Sequence, residues 1–365
     1  MKKILFPGIL VLLLIPAFLC GGCYDVQFFE NTAVIIYAGA DKGSGDQLAL
    51  SFAVAESEAS GQILTLLRTE APLMASAITK LNAENEDILR AGKIQNLIFS
   101  EELAKEGILK LKDGNSVSEA NRFMADYAIT KGTAAELFTV LQKKEAENGS
   151  YGYFGELLSN AAAAGLCPDT RLHEFNIDVA AEGIDPMLPL VDYDTEAETV
   201  SVIGTALLQN DRMVTALDTE DSRYLALLSG SGKHTVLPLM GIQPETGYLS
   251  LHITKSKNKI KLQTKGDRLK ICFALTVDGH FDVGDWAEIK PQYKKTAVAE
   301  LEKQIGNRCM EVLSKLQAAP SDPFGVASKL RGYHNQFYRT HDFTEVYQNA
   351  AVEVTVNMRL LNQKY

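Results

Sequence analysis

The sequence predicts an α+β fold: mixed sheets with flanking helices in two or three domains, the C-terminal part a mainly antiparallel sheet packed against a long helix. Three observations carry this. The first half alternates strand-like and helix-like stretches, and the second half sets strictly alternating strands around one long amphipathic run. The composition, 46% apolar and 22% charged over 365 residues, fits a folded chain with more than one core. The expected division is 1–22 as a removed signal, 23–195 as an N-terminal α/β domain and 196–365 as a C-terminal α+β domain. A further break near 245–255 is compatible with the pattern.

"NTAVIIYAGADKGSGDQLALSFAVA" reads as two strands around a Gly-rich turn, with Leu48, Leu50, Phe52 and Val54 alternating in the second. "SAITKLNAENEDIL" has helical spacing through Ile78, Leu81, Ile88 and Leu89. Ile94 to Phe99 is a short strand, and Ser100 is placed to cap a helix whose first turn holds Glu101 and Glu102. "VSEANRFMADYAITKGTAAELFTVL" then predicts helix, strand, helix, and the polar run Gln142 to Ser150 predicts an exposed loop. Tyr153 to Ala164 is a helix stopped by Gly165, and "GIDPMLPLVDYDTEAETV", rich in Pro and acids, reads as irregular chain approaching a domain boundary.

Beyond it, "VSVIGTALLQNDRMVTALDTEDSRYLALLSG" gives a strand, a turn at Asn210–Asp211, a second strand and a helix. "GYLSLHITKSKNKIKLQ" and "DRLKICFALTVDGHFD" alternate as strands; Leu269, Ile271, Phe273, Leu275 and Val277 share one face of the second. Val298, Leu301, Ile305, Val312, Leu313 and Leu316 form the stripe of a long helix that "APSDPFG" breaks. A shorter helix with Tyr333, Phe337 and Tyr338 follows. "AAVEVTVNMRL" closes the chain as a strand.

At the start, Lys2 and Lys3 precede an apolar run to Leu19, shorter than the roughly 20 residues a spanning helix needs and interrupted by Pro7 and Pro16. This reads as a secretion signal. The pair Cys20 and Cys23 in "FLCGGCYD" lacks the further ligands of a zinc site and the thioredoxin-like context of a redox motif. Gly21 and Gly22 before Cys23 instead suit lipoprotein processing, with Cys23 as the lipid-attachment residue. Two acyl chains there would hold the protein stably on a membrane. Cys167, Cys272 and Cys309 are then left, an odd number; buried small hydrophobes are the expected role, with one disulfide among them as the alternative.

The net charge of −10 argues against a nucleic-acid partner and gives no electrostatic attraction to anionic lipids. No phosphate loop is complete: "SGSGKHT" lacks both the first glycine and the Ser/Thr ligand. The six histidines, His334 and His341 included, show no metal-binding spacing, and "DYDTEAETVSVI" lacks the mid-loop glycine and final Glu of a calcium loop. Trp286 reads as a packing anchor. We therefore assign no catalytic, cofactor-binding or metal-binding residue and expect no enzyme.

The ordered motifs resemble the Ger(x)C lipoproteins, the C subunits of bacterial spore germinant receptors. The family opens with Cys-Trp-Asp, a strand and a G-x-D-K turn, which stand here as "CYDVQFFENTAVIIYAGADKG" with Tyr24 for Trp. Its strand and "geeLAkeGi" stand as "LIFSEELAKEGI" at 97–108, its second-half opening as "VIGTALLQNDRMVTALDTED" at 202–221, and its Asp-Pro-x-Gly-like break as "SDPFG". The segment "SEASGQILTLLRTEAPLMAS" departs from the family's Gly-rich, Pro-containing run. The resemblance implies a lipid-anchored, non-catalytic subunit on the outer face of the spore inner membrane, with membrane-embedded A- and B-type subunits as partners. A solute-binding lipoprotein of a transporter is the alternative, distinguishable by two βα lobes around a cleft; a lipid-anchored envelope enzyme is a third reading.

Overall fold

In the computed structural model the described residues are 32–55, 63–111, 125–169, 171–240, 247–282 and 289–361. Three strands, β1 (Thr32–Lys42), β2 (Leu48–Ala55) and β3 (Leu64–Ala71), form an antiparallel meander. Helix α1 (Met74–Asn82) leads to a short strand β4 (Ile88–Arg90), which pairs parallel with the start of β1. The helix therefore stops before the expected Ile88 and Leu89. Asn82 ends it: its side-chain oxygen accepts Leu89 N at 2.8 Å and turns the chain into strand pairing.

Strand β5 (Asn96–Ser100) lies parallel to β1, and Ser100 caps helix α2 (Glu101–Glu106) by accepting Leu103 N. Strand β6 (Asp126–Thr130) continues the parallel centre, followed by α3 (Ala134–Asn148), α4 (Tyr153–Ala163) and α5 (Leu172–Ala180). The helix expected before β6 lies outside the described residues, and α5 was not among the expected elements. Helix α3 runs through the polar stretch expected to be a loop. Its surface bonds Lys144 to Glu147, yet Glu145 turns inward and is fully buried, accepting from the Tyr37 hydroxyl and from the backbone N–H of Gly152 and Tyr153.

Strand β7 (Met187–Asp194) replaces the irregular chain expected around the prolines. It meets β6 only at Leu190 and Val191, so Pro189 stands outside that ladder and withholds no N–H from it. Strands β8 (Thr199–Gln209) and β9 (Arg212–Asp218) complete a nine-stranded mixed sheet, order β3-β2-β1-β5-β6-β7-β8-β9 with β4 beside β1. Residues 195 and 196 lie in the turn of the β7–β8 hairpin, so strands from both sides of that position share this sheet.

Both faces of the sheet are covered, which explains the near-continuous burial of β5 and β6. On one face Tyr37, Ile98 and Ala128 meet Leu137 and Phe138 of α3 and Phe154 of α4. On the other, Phe52, Phe99 and Ile129 meet Ala77 and Leu81 of α1, Leu103 of α2 and Phe175 of α5.

Helix α6 (Thr219–Ser229) leads into a second sheet of four strands: β10 (Val236–Met240), β11 (Tyr248–Lys265), β12 (Arg268–Phe281) and β13 (Ala351–Leu360). Its first two pairings are antiparallel and the β12–β13 pairing is parallel. The long helix α7 (Pro291–Ala318) lies against β13, where Glu302 accepts Met358 N at 2.8 Å, and its stripe of Leu301, Ile305, Val312 and Leu316 enters the core beneath this sheet as predicted. The expected aromatic helix is three short ones, α8 (Val326–Tyr333), α9 (Asn335–Thr340) and α10 (Phe343–Gln348). Cys167 and Cys309 are buried, Cys272 half-buried, and all three thiols are free.

Candidate functional site

The motif residues read from the sequence are distributed along the chain, but several meet in space. Asp41, in the "GADKG" turn, places its carboxylate at the start of α3 and accepts Ala134 N at 2.7 Å and Ala135 N at 3.1 Å. Burial pushes this carboxyl up, and the two N–H donors oppose the shift. Next to it, Lys42 bridges to Glu102 at 3.2 Å and Glu106 at 2.6 Å, tying the turn to α2.

The end of α2 meets the Asn210–Asp211 turn. Ile108 N donates to the Asp211 carbonyl and Leu109 N to its carboxylate, each at 3.0 Å. Gly107 is required there: its φ is +123°, and a Cβ would lie 2.7 Å from the Asp211 carboxylate. The same turn is held from its other side by Asp185, whose carboxylate accepts Asn210 N at 2.7 Å and Asp322 N at 2.8 Å. Asp185 N in turn donates to the Asp322 carbonyl, and the Asp322 carboxylate accepts Ala327 N at the start of α8. Asp185 and Asp322 join the two sheet-bearing parts; from sequence their stretches read as irregular chain and as a helix break, and neither carboxylate is given this role. The signal available was that each precedes a proline, Pro186 and Pro323, which pre-sets the turn its carboxylate closes.

Two cavities flank Asp185. The larger, about 400 Å³, has Met187, Leu225 and Ala226 as apolar lining and Asp169, Glu174 and Asp178 as acidic residues. Thr205 and Ser222 close part of its wall through a 2.8 Å hydroxyl pair. Burial and the neighbouring Asp169 and Glu174 push the nearby Asp126 carboxyl up to about 6, and burial with Glu174 also raises Asp178. The smaller cavity, about 150 Å³, is lined by Asp322, Ser321, Tyr338 and Tyr347. Burial holds Asp322 at about 6.

These groups do not assemble a reactive centre. Burial pushes the thiols of Cys167 and Cys309 up to about 12, so both stay protonated at neutral pH. Among the described residues no three His, Cys, Asp or Glu side chains gather around a point that would hold a metal ion. His334 faces Thr264 at 3.2 Å, and His341 stacks on Phe337 and faces Asp267. Cys23, Cys20, Tyr24 and Trp286 lie outside the described residues, and no helix among those described is long and apolar enough to cross a membrane.

Two family models match the chain in sequence order. Residues 25–193 match the spore germination protein N-terminal domain, and residues 203–363 match the C-terminal domain described as spore germination B3/GerAC like. Among solved structures, the crystal structure of the GerBC protein shares the fold, with a TM-score of 0.59 at 14% identity over 89% of this chain and 97% of that one. A search of the curated proteins finds no significant match.

Proposed function

The chain belongs to the GerAC-like spore germination family, the C subunits of germinant receptors, and from that premise we propose that it is the lipid-anchored, non-catalytic subunit that helps assemble the receptor or relay its signal. The observation that carries this reading is the ordered match of both family models over nearly all of the chain beyond its leader. In the proposed maturation the leader 1–22 is removed and Cys23 carries the acyl chains, which places the protein on the outer face of the spore inner membrane. A-type and B-type membrane subunits are its partners there.

The use made of the motif residues supports a scaffold. Asp41, Gly107, Asp211 and Asp322 are committed to closing turns and capping helices, so their chemistry is spent on shape. A tagged chain recovered from spore membranes in mild detergent is expected to bring A- and B-type subunits with it; recovery without either would overturn the reading. For the anchor, Cys23→Ala is expected to move the protein from the membrane to the soluble fraction and to blunt germination. Unchanged membrane retention would exclude Cys23 as the attachment point.

A further inference from the structure

The outer face of the second sheet carries a cationic row that the net charge of the chain conceals. Lys255, Lys257, Lys259 and Lys261 alternate along β11, and all four are exposed. At the strand rise of about 3.3 Å per residue they cover roughly 20 Å. Their cross-strand neighbours on β12 do not answer their charge: Lys257 lies opposite Thr276, Lys259 opposite Ala274 and Lys261 opposite Cys272. Lys255 lies opposite Asp278, but both carboxylate oxygens of Asp278 are taken by the Arg359 guanidinium at 2.8 and 2.7 Å. Glu353, the other carboxylate on this face, pairs with Lys270. None of the four lysines has an ion-pair partner among the described residues.

The helices leave this face open. The inner side chains of β12, Leu269 to Val277, belong to the core shared with α6 and α7, while the four lysines on the opposite face stay exposed. The β10 ladder on β11 ends at His252, Ile253 bonds His234 and Thr235, and farther along Ser256 and Asn258 bond the end of α6 and the loop after it through their side chains. A lysine at a strand edge discourages edge-to-edge pairing. Protection of an edge does not call for four of them on one face, where like charges two residues apart repel each other.

We propose that this face docks on the anionic surface of the lipid bilayer, turning the second sheet toward the membrane. The row extends over four alternate positions of one strand, which matches a layer of phosphate headgroups better than a single ligand. Its charge is opposite to that of an anionic headgroup layer and to the rest of this acidic chain, so the field orients the molecule as well as attracting it. The setting rests on the lipid-anchored reading above: a protein already tethered needs only a weak second contact to fix its orientation. The general exclusion of lipid attraction from net charge therefore fails locally, because a whole-chain sum carries no information on which face the lysines share.

The test uses the full chain with Cys23→Ser, mixed with vesicles of phosphatidylcholine alone or with added phosphatidylglycerol. Binding is expected to rise with phosphatidylglycerol and to collapse in high salt. The combined variant Lys255→Gln, Lys257→Gln, Lys259→Gln and Lys261→Gln is expected to bind the anionic vesicles several hundred-fold more weakly, at roughly fivefold per lysine. The leader is present in both proteins and cancels. Equal affinity of the two for anionic vesicles would overturn the proposal, as would loss of subunit co-purification in the variant with vesicle binding intact, which would point to an acidic protein face. Amine-reactive labelling of the unmodified lysines gives a readout independent of the variant's folding. Protection of the four on anionic vesicles alone is expected, and equal labelling on both vesicle types would overturn the docking. Because the vesicle-binding and labelling measurements need neither partner subunits nor acylation, they can fail while the receptor reading stands, and the reverse.

Discussion

At the scale of single residues, the acidic cleft near β6 makes stability depend on pH. Asp126 has its carboxyl raised from 3.8 to about 6, first by burial and then by Asp169 and Glu174. A carboxyl raised on folding binds its proton more tightly in the folded than in the unfolded state. Its contribution is therefore favourable below the unfolded pKa and is lost as pH rises through the folded one, here between about 4 and about 6. Asp126→Asn removes this penalty. Discounted for partial exposure, the variant is expected to gain about 1 kcal/mol at neutral pH and nothing near the lower end of that window, measured by urea unfolding at both. A variant less stable than the parent at neutral pH would refute the account. Asp322, also held near 6, remains in the variant, so part of the slope persists. Neither effect was legible in the sequence, where Asp126 is one polar residue at a strand start. Glu145 makes the same point: a charge in a polar run looks solvated until the fold brings up Tyr37, 108 residues away.

At the scale of elements, legibility followed local pattern. Strands β11 and β12 and helix α7 were readable because each buries one face against one core, which prints a period on the sequence. Strand β7 was not, because it is buried on a parallel flank, and Pro189 within it and Pro186 just before it imitate a linker. Strand β8 stands between these cases: the strand itself was visible, but its irregularity was not. The register shifts at both of its ladders, and Gly204 sits where the strand presses on β9, with φ +144°. A Cβ there would lie 1.9 Å from the Leu217 carbonyl, so the backbone itself would have to move. Gly204→Ala is accordingly expected to cost about 3 kcal/mol or more, read as a lower urea midpoint. A change within a few tenths of that of a surface alanine would show that the hairpin tolerates another path.

At the scale of the whole molecule, two sheets behave as one body through α6 and the Asp185–Asp322 joint. One core takes Leu207 and Leu217 from the first sheet together with Tyr224 and Leu228 of α6, Leu251 and Ile271 of the second sheet and Leu301 of α7. Asp221 of α6, nearly buried, also pairs with Lys315 and Arg308 of α7. The apolar contacts supply attraction without direction, so directional bonds such as the Asp185–Asp322 joint, the Thr205–Ser222 hydroxyl pair and Ser328 N to the Gly183 carbonyl orient the sheets. Removing the Asp185 carboxylate leaves Asn210 N and Asp322 N without their acceptor, at an expected cost of about 2–3 kcal/mol in Asp185→Ala. The loss is local to the junction, so its signature is a difference between halves. Amide exchange is expected to quicken in β10 to β13 and α8 while β1, β5 and β6 keep their protection. Asp185→Asn, which keeps one acceptor oxygen, falls between the two. If exchange instead quickened evenly in both sheets, the joint would be one brace among many, and the shared core around α6 would by itself set the geometry through which a membrane-facing sheet could influence the rest of the subunit.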